Sequence, residues 1–402
     1  MLPAAEPAPG PSTAPGGPRP RAEAVVDLDA VRHNVALLSG TAARSGAATM
    51  AVVKADAYGH DAAAVARAAL ESGADRLGVC TLEEALAVRA AGIDAPLLSW
   101  LHLPDEDFAS AVAAGVELGV SSREHLAAML AGARAAGRPA RLHLKADTGL
   151  SRNGCPPGEW PALVGEAADA VADGFAEVTG VWSHLASADE PGDPSIDAQA
   201  DRLRAAAAHV RDRGFDPLVH LANSAALMTR PDLHFDVVRP GIAVYGLDPI
   251  AQPADSPLVP AMTLRGRVAL VKTISAGEGV SYGHEWVAPT ERTLALVPLG
   301  YADGVPRRLN NRGRMRVRIG DTIRPVVGRV CMDQFVVDCG RPGELDVAVG
   351  DTAELFGTGA GGAPTAREWA DELGTIHYEI VTGIRGRVRR TLAHPSVGGN
   401  NG

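Results

Sequence analysis

The sequence predicts an α/β protein in which a TIM-like (β/α)8 barrel is followed by a mostly β C-terminal domain. Over most of the chain, short apolar runs rich in Val and Leu alternate with Ala-rich helical patterns, as parallel strands and crossover helices do. Eight such runs fall within roughly 210 residues, whereas an open doubly wound sheet usually has fewer strands. After about residue 260 short alternating segments broken by Gly and Pro take over, which predicts a separate β-rich domain.

The predicted elements follow in a regular order. A leading helix is predicted over residues 27–43, because apolar residues recur there at helical spacing. The eight predicted strands are 50–54, 77–80, 97–101, 116–120, 142–145, 178–184, 218–221 and 237–239. Helical patterns lie between them at 62–70, 83–91, 123–136 and 197–212. In the second domain strands are predicted at 263–274, 293–298, 315–319, 323–330 and 334–338, with one helix at 367–373.

Composition sets the predicted domain limits. Residues 1–22 form a Pro-rich tail that has too little apolar surface to offset the entropy of ordering, so disorder is predicted. The barrel then spans residues 23–259 and the β-rich domain spans 260–392. A flexible tail is predicted for residues 393–402.

Charge and cysteine usage exclude several classes of protein. The net charge of −10 and the spread of basic residues argue against nucleic acid as a partner. The four cysteines form no CxxC pair and the histidines no HExxH motif, so no metal site is predicted. No long apolar run and no secretory leader is found, so we expect a cytoplasmic protein with reduced thiols and no membrane contact.

Polar side chains close or directly follow five of the eight predicted strands, at the face where barrel enzymes carry their active sites. They are Lys54, Lys145, His184, Asn223 with Ser224, and Arg239. One lysine at a strand end is usually a solvated head on an apolar stem, but these residues converge on one rim. A lysine at an apolar barrel mouth readily loses its proton and can form a Schiff base with an aldehyde cofactor.

The segment AVVKADAYGH around Lys54 resembles the cofactor-lysine signature of alanine racemases. Further segments resemble that family in order: LKADTGLSRNG from Leu144, ANSAA from Ala222, VRPGI from Val238, VSYGH from Val280, GYADG from Gly300 and CMD from Cys331. The resemblance extends over residues 27–389. It implies an enzyme that interconverts L- and D-alanine and supplies D-alanine for peptidoglycan.

The resemblance implies two catalytic bases on a pyridoxal 5'-phosphate aldimine. Lys54 carries the cofactor and serves one face, and Tyr282 serves the other. Two bases are required because the planar cofactor screens one face of Cα from any single group. A phenol is a poor base at neutral pH without a neighbour that stabilises its phenolate, and a hydrogen-bonded chain through His184 and Arg239 is implied.

The remaining site residues also follow from the resemblance. Arg239 faces the pyridine nitrogen, and because guanidinium only donates, it limits electron withdrawal and disfavours transamination. Arg152 contacts the phenolic oxygen of the cofactor and lies near the substrate carboxylate, and Lys145 is carbamylated in some members. Tyr301 and Met332 bind the substrate and narrow its entrance. The implied cofactor residues, most of them at its phosphate, are Tyr58, Asn223, Ser224, Gly241, Ile242 and Tyr378.

The implied assembly is a head-to-tail homodimer in which Tyr282, Tyr301 and Met332 reach the active site of the other subunit. Two rival functions are a fold-related pyridoxal-phosphate amino-acid decarboxylase and a non-catalytic carrier of the cofactor built on the barrel alone. The block around Tyr282 argues against the first, and the long second domain against the second. Racemisation of serine, carbamylation of Lys145, the dimer affinity, the role of the N-terminal tail and biosynthetic or catabolic use are left open.

Overall fold

A computed structural model describes residues 19–250 and 256–393, and the chain divides into two compact units. The barrel unit is Leu28–Pro260, and the β unit combines Met1–Asp27 with Ala261–Gly402. The described strands are β1 (Ala22–Asp27), β2 (Ala48–Val52), β3 (Arg76–Val79), β4 (Leu97–Ser99), β5 (Glu117–Val120), β6 (Ala140–Lys145), β7 (Ala176–Trp182), β8 (Leu218–His220), β9 (Val237–Val238), β10 (Met262–Arg267), β11 (Leu270–Ile274), β12 (Gly279–Val280), β13 (Trp286–Val287), β14 (Arg292–Val297), β15 (Arg316–Ile319), β16 (Thr322–Val327), β17 (Phe335–Asp338), β18 (Thr352–Phe356) and β19 (Arg389–Ala393).

The helices of the described ranges include one left-handed turn, α2. They are α1 (Leu28–Ala43), α2 (Lys54–Gly59), α3 (Ala62–Glu71), α4 (Leu82–Ala90), α5 (Phe108–Ala113), α6 (Arg123–Ala136), α7 (Trp160–Ala172), α8 (Pro194–Arg211), α9 (Ser224–Thr229), α10 (Ala366–Leu373) and α11 (His377–Gly383). Short 3-10 turns occur at Pro231–Leu233, Ile242–Tyr245, Tyr282–His284, Tyr301–Asp303, Arg307–Asn310 and Ala360–Gly362. Among the described helices, none has both the length and the apolar composition that a membrane crossing requires.

The barrel unit contains all eight predicted strands, so the (β/α)8 prediction is confirmed. Hydrogen-bonded pairs run in the order β8-β7-β6-β5-β4-β3-β2-β9, and every pair is parallel. Beyond the ladders, Asp236 N donates to Val219 O at 3.0 Å and Arg239 N to Ala222 O at 2.8 Å. These two bonds join the segments of β8 and β9, and the barrel is nearly closed.

Helix caps define the crossover helices locally. Thr81 and Glu84 form a capping box at the start of α4, and Ser122 caps α6. Gly137 ends α6 with φ +66°, a left-handed conformation that glycine adopts without steric cost. The predicted helix at 123–136 matches α6, and the predicted leading helix corresponds to α1.

The β unit is built on a nine-stranded sheet, within the residues that are described, in the order β11-β14-β17-β16-β15-β18-β10-β1-β19. A buried cluster packs on it, comprising Ile274, Val280, Ala288, Leu294 and Val327. The prediction of a mostly β domain is confirmed. The prediction of a single helix there is wrong, because α11 follows α10 after three residues. Only seven residues long and without a side-chain cap, α11 leaves a weak sequence signal.

The structure differs from the predicted domain limits at the N-terminal side of the barrel. Residues 23–27 were predicted to belong to the barrel, but they lie in β1, which pairs antiparallel with β10 and parallel with β19. Its strand partners are about 240 and 366 residues away in sequence (Val25 pairs with Thr263, Glu23 with Arg389), so no local pattern could reveal them. The predicted tails, 1–22 and 393–402, lie outside the described residues except at 19–22 and 393.

Candidate active site

Lys54 begins a turn of left-handed helix just after β2. The four residues after it, Ala55–Tyr58, have φ between +52° and +54°, a conformation that costs roughly 1–2 kcal/mol per non-glycine residue. Glu84 Oε1 accepts a hydrogen bond from Ala55 N at 2.7 Å, and Ala57 N donates to Val53 O at 2.9 Å. Strain of this kind persists only where surrounding structure enforces it, and it concentrates at functional sites.

Four cations meet at the mouth of the barrel, and we call Lys54, Lys145, Arg152 and Arg239 the cationic cluster. Lys145 is 5% exposed, and burial, followed by the charges of Arg239, Arg152 and Lys54, lowers its pKa to about 7. Within the described part of the chain, the side chains of Lys54, Lys145 and Arg152 have no hydrogen-bond or ion-pair partner. Such a cluster favours an anionic ligand or the loss of a proton from one amine.

Trp182, the last residue of β7, supports two members of the cationic cluster. Its ring lies 4.2 Å from Lys145 Nζ and 4.9 Å from Arg239 Cζ, both within the range of cation–π attraction. The sequence did not reveal a role for Trp182, because an aromatic residue inside an apolar strand is usually part of the core. Its place two residues before His184, at the end of a barrel strand, was the available signal.

Arg239 is 4% exposed and is held by four acceptors. Nη2 donates to Ser183 O at 2.8 Å, Leu221 O at 3.1 Å and His184 Nδ1 at 3.2 Å. Nη1 donates to His220 Nδ1 at 3.1 Å, a partner that the sequence did not reveal. Burial lowers the pKa of Arg239 to about 9, so the guanidinium is still protonated at neutral pH.

His184 Nδ1 lies 3.2 Å from Arg239 Nη2, one of the contacts that the family resemblance implies. Burial and the charges of Arg239 and Arg152 lower the pKa of His184 well below its ordinary value. The imidazole is therefore neutral, and because guanidinium only donates, His184 Nδ1 accepts from Arg239. The proton of this neutral ring lies on Nε2, which leaves Nε2 as a donor.

Three predicted phosphate residues meet beside α9. Ser224 Oγ accepts from Gly241 N at 2.8 Å and from Ala243 N at 3.3 Å. A Cβ at Gly241 would lie 2.5 Å from Tyr58 Oη, so only glycine leaves room for the phenol. The Gly241 N–H therefore already has an acceptor in the protein, the hydroxyl of Ser224.

Asn223 and Ile242 flank this cradle. Asn223 Oδ1 accepts from Ala226 N at 3.1 Å, which makes Asn223 the N-cap of α9. Ile242 begins the 3-10 turn after Gly241 and is buried. Asn223 therefore has a structural role that the sequence did not separate from cofactor binding.

In the β unit, Tyr282, Tyr301 and Met332 are held by neighbouring segments. Tyr301 N donates to Cys331 O at 3.1 Å, and Ser281 Oγ lies 3.3 Å from Cys331 Sγ. The three side chains are 70%, 39% and 53% exposed, respectively, which is unusual for large apolar groups. They present an apolar surface on this unit.

Tyr378 lies in α11 of the same unit and is half-buried. The groove beside it is lined by Tyr301 and by Glu379 and Ile380, which follow Tyr378 along α11. Gly304 permits this approach, because a Cβ there would lie 2.2 Å from Gly383 O. The β unit therefore brings α11 next to the turn that carries Tyr301.

The barrel residues fit pyridoxal 5'-phosphate, the cofactor implied by the sequence resemblance. The cationic cluster suits the negative charge of its phenolate, and Lys54 offers an amine without a partner among the described residues. Tyr58, Ser224 and Gly241 form a polar cradle that a Cβ would fill. The arrangement can hold an anionic aldehyde and move a proton at an adjacent atom.

Two family models together match most of the chain. Residues 26–249 match the family model for the N-terminal domain of alanine racemase, and residues 261–392 match that for its C-terminal domain. An alanine racemase of Mycobacterium avium is 55% identical over 371 residues, which are 92% of this chain and 94% of that protein.

Solved structures are similar over nearly the whole chain. Alanine racemase from D-cycloserine-producing Streptomyces lavendulae has a TM-score of 0.88 and 50% identity, and covers 94% of this chain and 98% of its own. The Bacillus anthracis alanine racemase with bound L-Ala-P has a TM-score of 0.85 and 35% identity, with 94% and 97% coverage. The chain belongs to the alanine racemase family, whose members are pyridoxal-phosphate-dependent amino-acid racemases.

Proposed function

We propose that this chain interconverts L- and D-alanine with Lys54 and Tyr282 as the two proton-transferring bases. The observation that carries the proposal is the unpartnered amine of Lys54 within a cationic cluster, in a chain whose relatives are named alanine racemases. When bound, pyridoxal 5'-phosphate supplies an electron sink that makes the Cα proton of an amino acid acidic. Lys54 moves this proton on one face and Tyr282 on the other.

His184 and Arg239 support Tyr282 in this proposal. The neutral imidazole of His184 carries its proton on Nε2, which can donate to the phenolic oxygen of Tyr282 and stabilise its anionic form. Arg239, which remains protonated and only donates, is assigned to the pyridine nitrogen. A donor at that atom keeps it unprotonated and restrains electron withdrawal, which favours racemisation over transamination.

Substrate and phosphate binding are assigned to the remaining residues. Arg152 is exposed and unpartnered among the described residues, so it can bind a substrate carboxylate. Met332 and Tyr301 narrow the entrance, which suits a side chain as small as a methyl group. The phosphate is assigned to Tyr58, Asn223, Ser224, Gly241, Ile242 and Tyr378.

Lys145 is assigned as a carbamylated lysine. An amine whose pKa is about 7 is largely neutral just above neutral pH, and only the neutral amine reacts with CO2. The resulting carbamate replaces one positive charge of the cationic cluster with a negative one. It can then pair with Arg152, which has no other acceptor among the described residues.

A head-to-tail homodimer is part of the proposal. The exposure of Tyr282, Tyr301 and Met332 supports it, because a second copy can bury them. A cytoplasmic location and a role in supplying D-alanine to peptidoglycan are also proposed. All four cysteines are free thiols, as expected in a reducing compartment.

The test uses the small number of lysines, since the chain contains only Lys54, Lys145 and Lys272. Borohydride reduction of the purified protein should attach the coenzyme to the peptide that carries Lys54, as read by mass spectrometry. Lys272 is exposed on β11, and the Lys272→Arg variant is the matched control that should still be labelled. Label on another peptide, or no bound coenzyme, would contradict the proposal.

A second measurement tests the two bases and the substrate. In deuterated water, L-alanine should gain deuterium at Cα and yield D-alanine, and L-serine should react about 10²-fold more slowly because a small apolar pocket rejects a hydroxyl only weakly. Tyr282→Phe should keep the coenzyme and lose most inversion. In a non-catalytic cofactor carrier this substitution would change no activity. A decarboxylase would release CO2 from an amino acid.

A further inference from the structure

Four buried polar side chains form one hydrogen-bonded chain through the barrel. Arg239 Nη1 lies 3.1 Å from His220 Nδ1, His220 Nε2 lies 2.9 Å from His143 Nδ1, and His143 Nε2 lies 2.9 Å from Glu117 Oε2. Glu117, His143 and His220 are fully buried. Glu117 opens β5, whereas Arg239 follows the last residue of β9, so the chain links the N-terminal ends of the strands to the barrel mouth.

The direction of every hydrogen bond in this chain is determined by its two ends. A guanidinium only donates, so His220 Nδ1 accepts from Arg239 and the proton of a neutral His220 lies on Nε2. His220 Nε2 then donates to His143 Nδ1, which places the His143 proton on Nε2. His143 Nε2 donates to the carboxylate of Glu117, which only accepts.

The charges around the chain agree with this assignment. Arg76 from β3 lies 3.2 Å from Glu117 Oε2 and Arg141 from β6 lies 2.6 Å from Glu117 Oε1. Burial opposes ionisation of Glu117, but the hydrogen bond from His143 and these two arginines together lower its pKa to about 2.

Both imidazoles are neutral in this environment. Burial lowers the pKa of His143, and burial with the charge of Arg239 lowers that of His220 well below its ordinary value. The other charged group facing them is Lys145, whose cation also opposes protonation of His220. A positive charge on either ring would lie among Arg76, Arg141, Lys145 and Arg239.

The backbone of β7 leaves room for the hydrogen-bonded side chains to cross this strand. His143 in β6 reaches His220 in β8 across Gly180, where a Cβ would lie only 2.1 Å from His143 Nδ1. The β6–β7 ladder shifts register at this point, so that Thr179 is an extra residue between the pairs Leu142–Val178 and His143–Gly180. The glycine and the bulge occur at the same position of β7. Their coincidence indicates that the contact between His143 and His220 is a feature of the fold and not a chance contact of two core histidines.

Trp182 constrains the part of the hydrogen-bonded chain that lies nearest the barrel mouth. Its ring stacks on His220 with centroids 5.4 Å apart and an interplanar angle of 12°. The same indole supports Arg239 and Lys145. The plane of His220, and with it the direction of its Nδ1 lone pair, is therefore constrained.

We propose that Glu117, His143 and His220 are positioning residues for Arg239, in which a carboxylate at the base of the barrel orders two neutral imidazoles so that an unprotonated nitrogen always faces the guanidinium. Arg239 then presents its remaining surface to the ligand in one orientation and stays charged. The consequence for catalysis rests on the proposed function, in which Arg239 faces the pyridine nitrogen. A purely structural network would stabilise the barrel whichever way its protons pointed.

The direct test is nitrogen NMR of the holoenzyme labelled with 15N-histidine. Correlations between ring nitrogens and carbon-bound protons identify each tautomer, with His143 and His220 assigned by the loss of their signals in His→Gln variants. We expect both to be protonated on Nε2 alone and to stay so over the pH range in which an ordinary histidine titrates. A proton on Nδ1 of either ring, or a cationic ring, would overturn the proposal.

Glu117→Gln should reverse the chain. Arg141 lies closer to Glu117 than Arg76 does and only donates, so it takes the amide oxygen at the Oε1 position. The amide nitrogen at the Oε2 position then displaces Arg76 and donates to His143 Nε2, and both histidines move their proton to Nδ1. His220 Nδ1 then meets Arg239 donor to donor. We expect the reversed tautomers, an altered absorbance spectrum of the bound coenzyme, and kcat lower by about tenfold, the size expected for one hydrogen bond.

The matched control is Glu177→Gln, which changes an exposed carboxylate of β7 that lies 3.8 Å from Arg141 and outside the chain. It should leave the tautomers, the spectrum and kcat as they are. Unchanged tautomers together with an unchanged spectrum in a folded Glu117→Gln protein would overturn the proposal.

Gly180→Ala is a second variant, and it leaves all four side chains of the hydrogen-bonded chain chemically unchanged. Its methyl should push His143 away from His220, release the His220 tautomer and change the coenzyme spectrum, whereas Gly165→Ala in α7, which meets no neighbour, should not. The wild-type tautomers are read without turnover. A protein with the expected tautomers that does not racemise alanine would contradict the proposed function alone, and a racemase with a cationic His220 would contradict this inference alone.

Discussion

The carboxylate of Glu84 accepts a hydrogen bond from the backbone nitrogen of Ala55 at 2.7 Å, directly after Lys54. Its second oxygen accepts from Cys80 N at 2.7 Å and from Thr81 N at 3.3 Å, where it completes the capping box of α4. One side chain therefore joins the start of a helix to the left-handed turn that carries the predicted catalytic lysine.

Glu84→Gln should loosen this turn. The amide offers one accepting oxygen where the carboxylate offered two, so at least one of the N–H groups faces another donor, which costs about 2 kcal/mol. We expect Tm to fall by about 2–4 °C and the coenzyme to be lost more readily on dialysis. Glu83→Gln, on the exposed neighbour in the same helical turn, is the control. Equal effects from both substitutions would mean that the loss of a negative charge in the first turn of α4, and not the contact with Ala55, is responsible.

Gly241→Ala should weaken coenzyme binding by about tenfold, or ~1.4 kcal/mol. The new Cβ would lie 2.5 Å from Tyr58 Oη and must displace the phenol from the cradle. Tyr58→Phe should also weaken binding, through loss of the hydroxyl. Because Tyr58→Phe removes the clashing atom, the double variant should lose less than the product of the two single losses. Titration of the apoprotein with coenzyme measures this, and simple multiplication of the losses would argue against the contact.

Lys145 should take up CO2 in a pH-dependent manner. Its folded-state pKa of about 7 lies below the ordinary 10.5, so the amine is protonated and inert below pH 7 and becomes neutral and reactive above it. We expect a carbamate carbon signal from 13C-labelled bicarbonate that grows as pH rises through about 7 and disappears on acidification. Lys145→Arg, which keeps the charge and removes the nucleophile, should give no signal. A signal that persists in this variant would place the carbamate elsewhere.

The same pKa predicts how stability depends on pH. Between about 7 and 10.5 the unfolded chain holds a proton on Lys145 that the folded chain lacks, so this residue makes the free energy of unfolding rise with pH across that window. Below pH 7 Lys145 is protonated in the folded chain as well, and burial of this charge destabilises the folded state. Lys145→Met should therefore flatten the rise, as measured by denaturant unfolding in CO2-free buffer. An identical slope in both proteins would contradict the lowered pKa.

Asp303→Asn should destabilise the β unit by about 2 kcal/mol, since a buried carboxylate loses its charge while its donors remain. Asp303 is inaccessible and accepts from Arg21 at 3.1 Å, from Arg387 at 3.0 Å and from Gly300 N at 3.1 Å. Because Gly300 precedes Tyr301, KM for alanine should rise more than kcat falls. Asp346→Asn, on an exposed loop, is the control for stability and kinetics, and a loss of stability with an unchanged KM would separate Asp303 from substrate binding.

Much of the barrel could be predicted from local patterns. Eight apolar runs of strand length correspond to β2–β9, and the residues just after several of them, such as Lys54 and Arg239, form the cationic cluster. Strand ends determine which side chains reach the mouth, so the order of residues along the chain was sufficient there. Trp182 and His220 also end strands, but their residue types fit a core equally well and carried no separate signal.

The sequence by itself determined the alternation of strands and helices, the placement of Lys54, Lys145 and Arg239 at one rim, and the family resemblance. Only the tertiary structure decided that β1 joins the β unit, that Ser224 accepts the Gly241 N–H, and that His143 passes Gly180 to reach His220. The physical reason is how far apart in the sequence the interacting residues lie. Periodicity and strand ends are properties of neighbouring residues, whereas the direction of a buried hydrogen-bond chain depends on donors and acceptors that meet only after distant strands have paired.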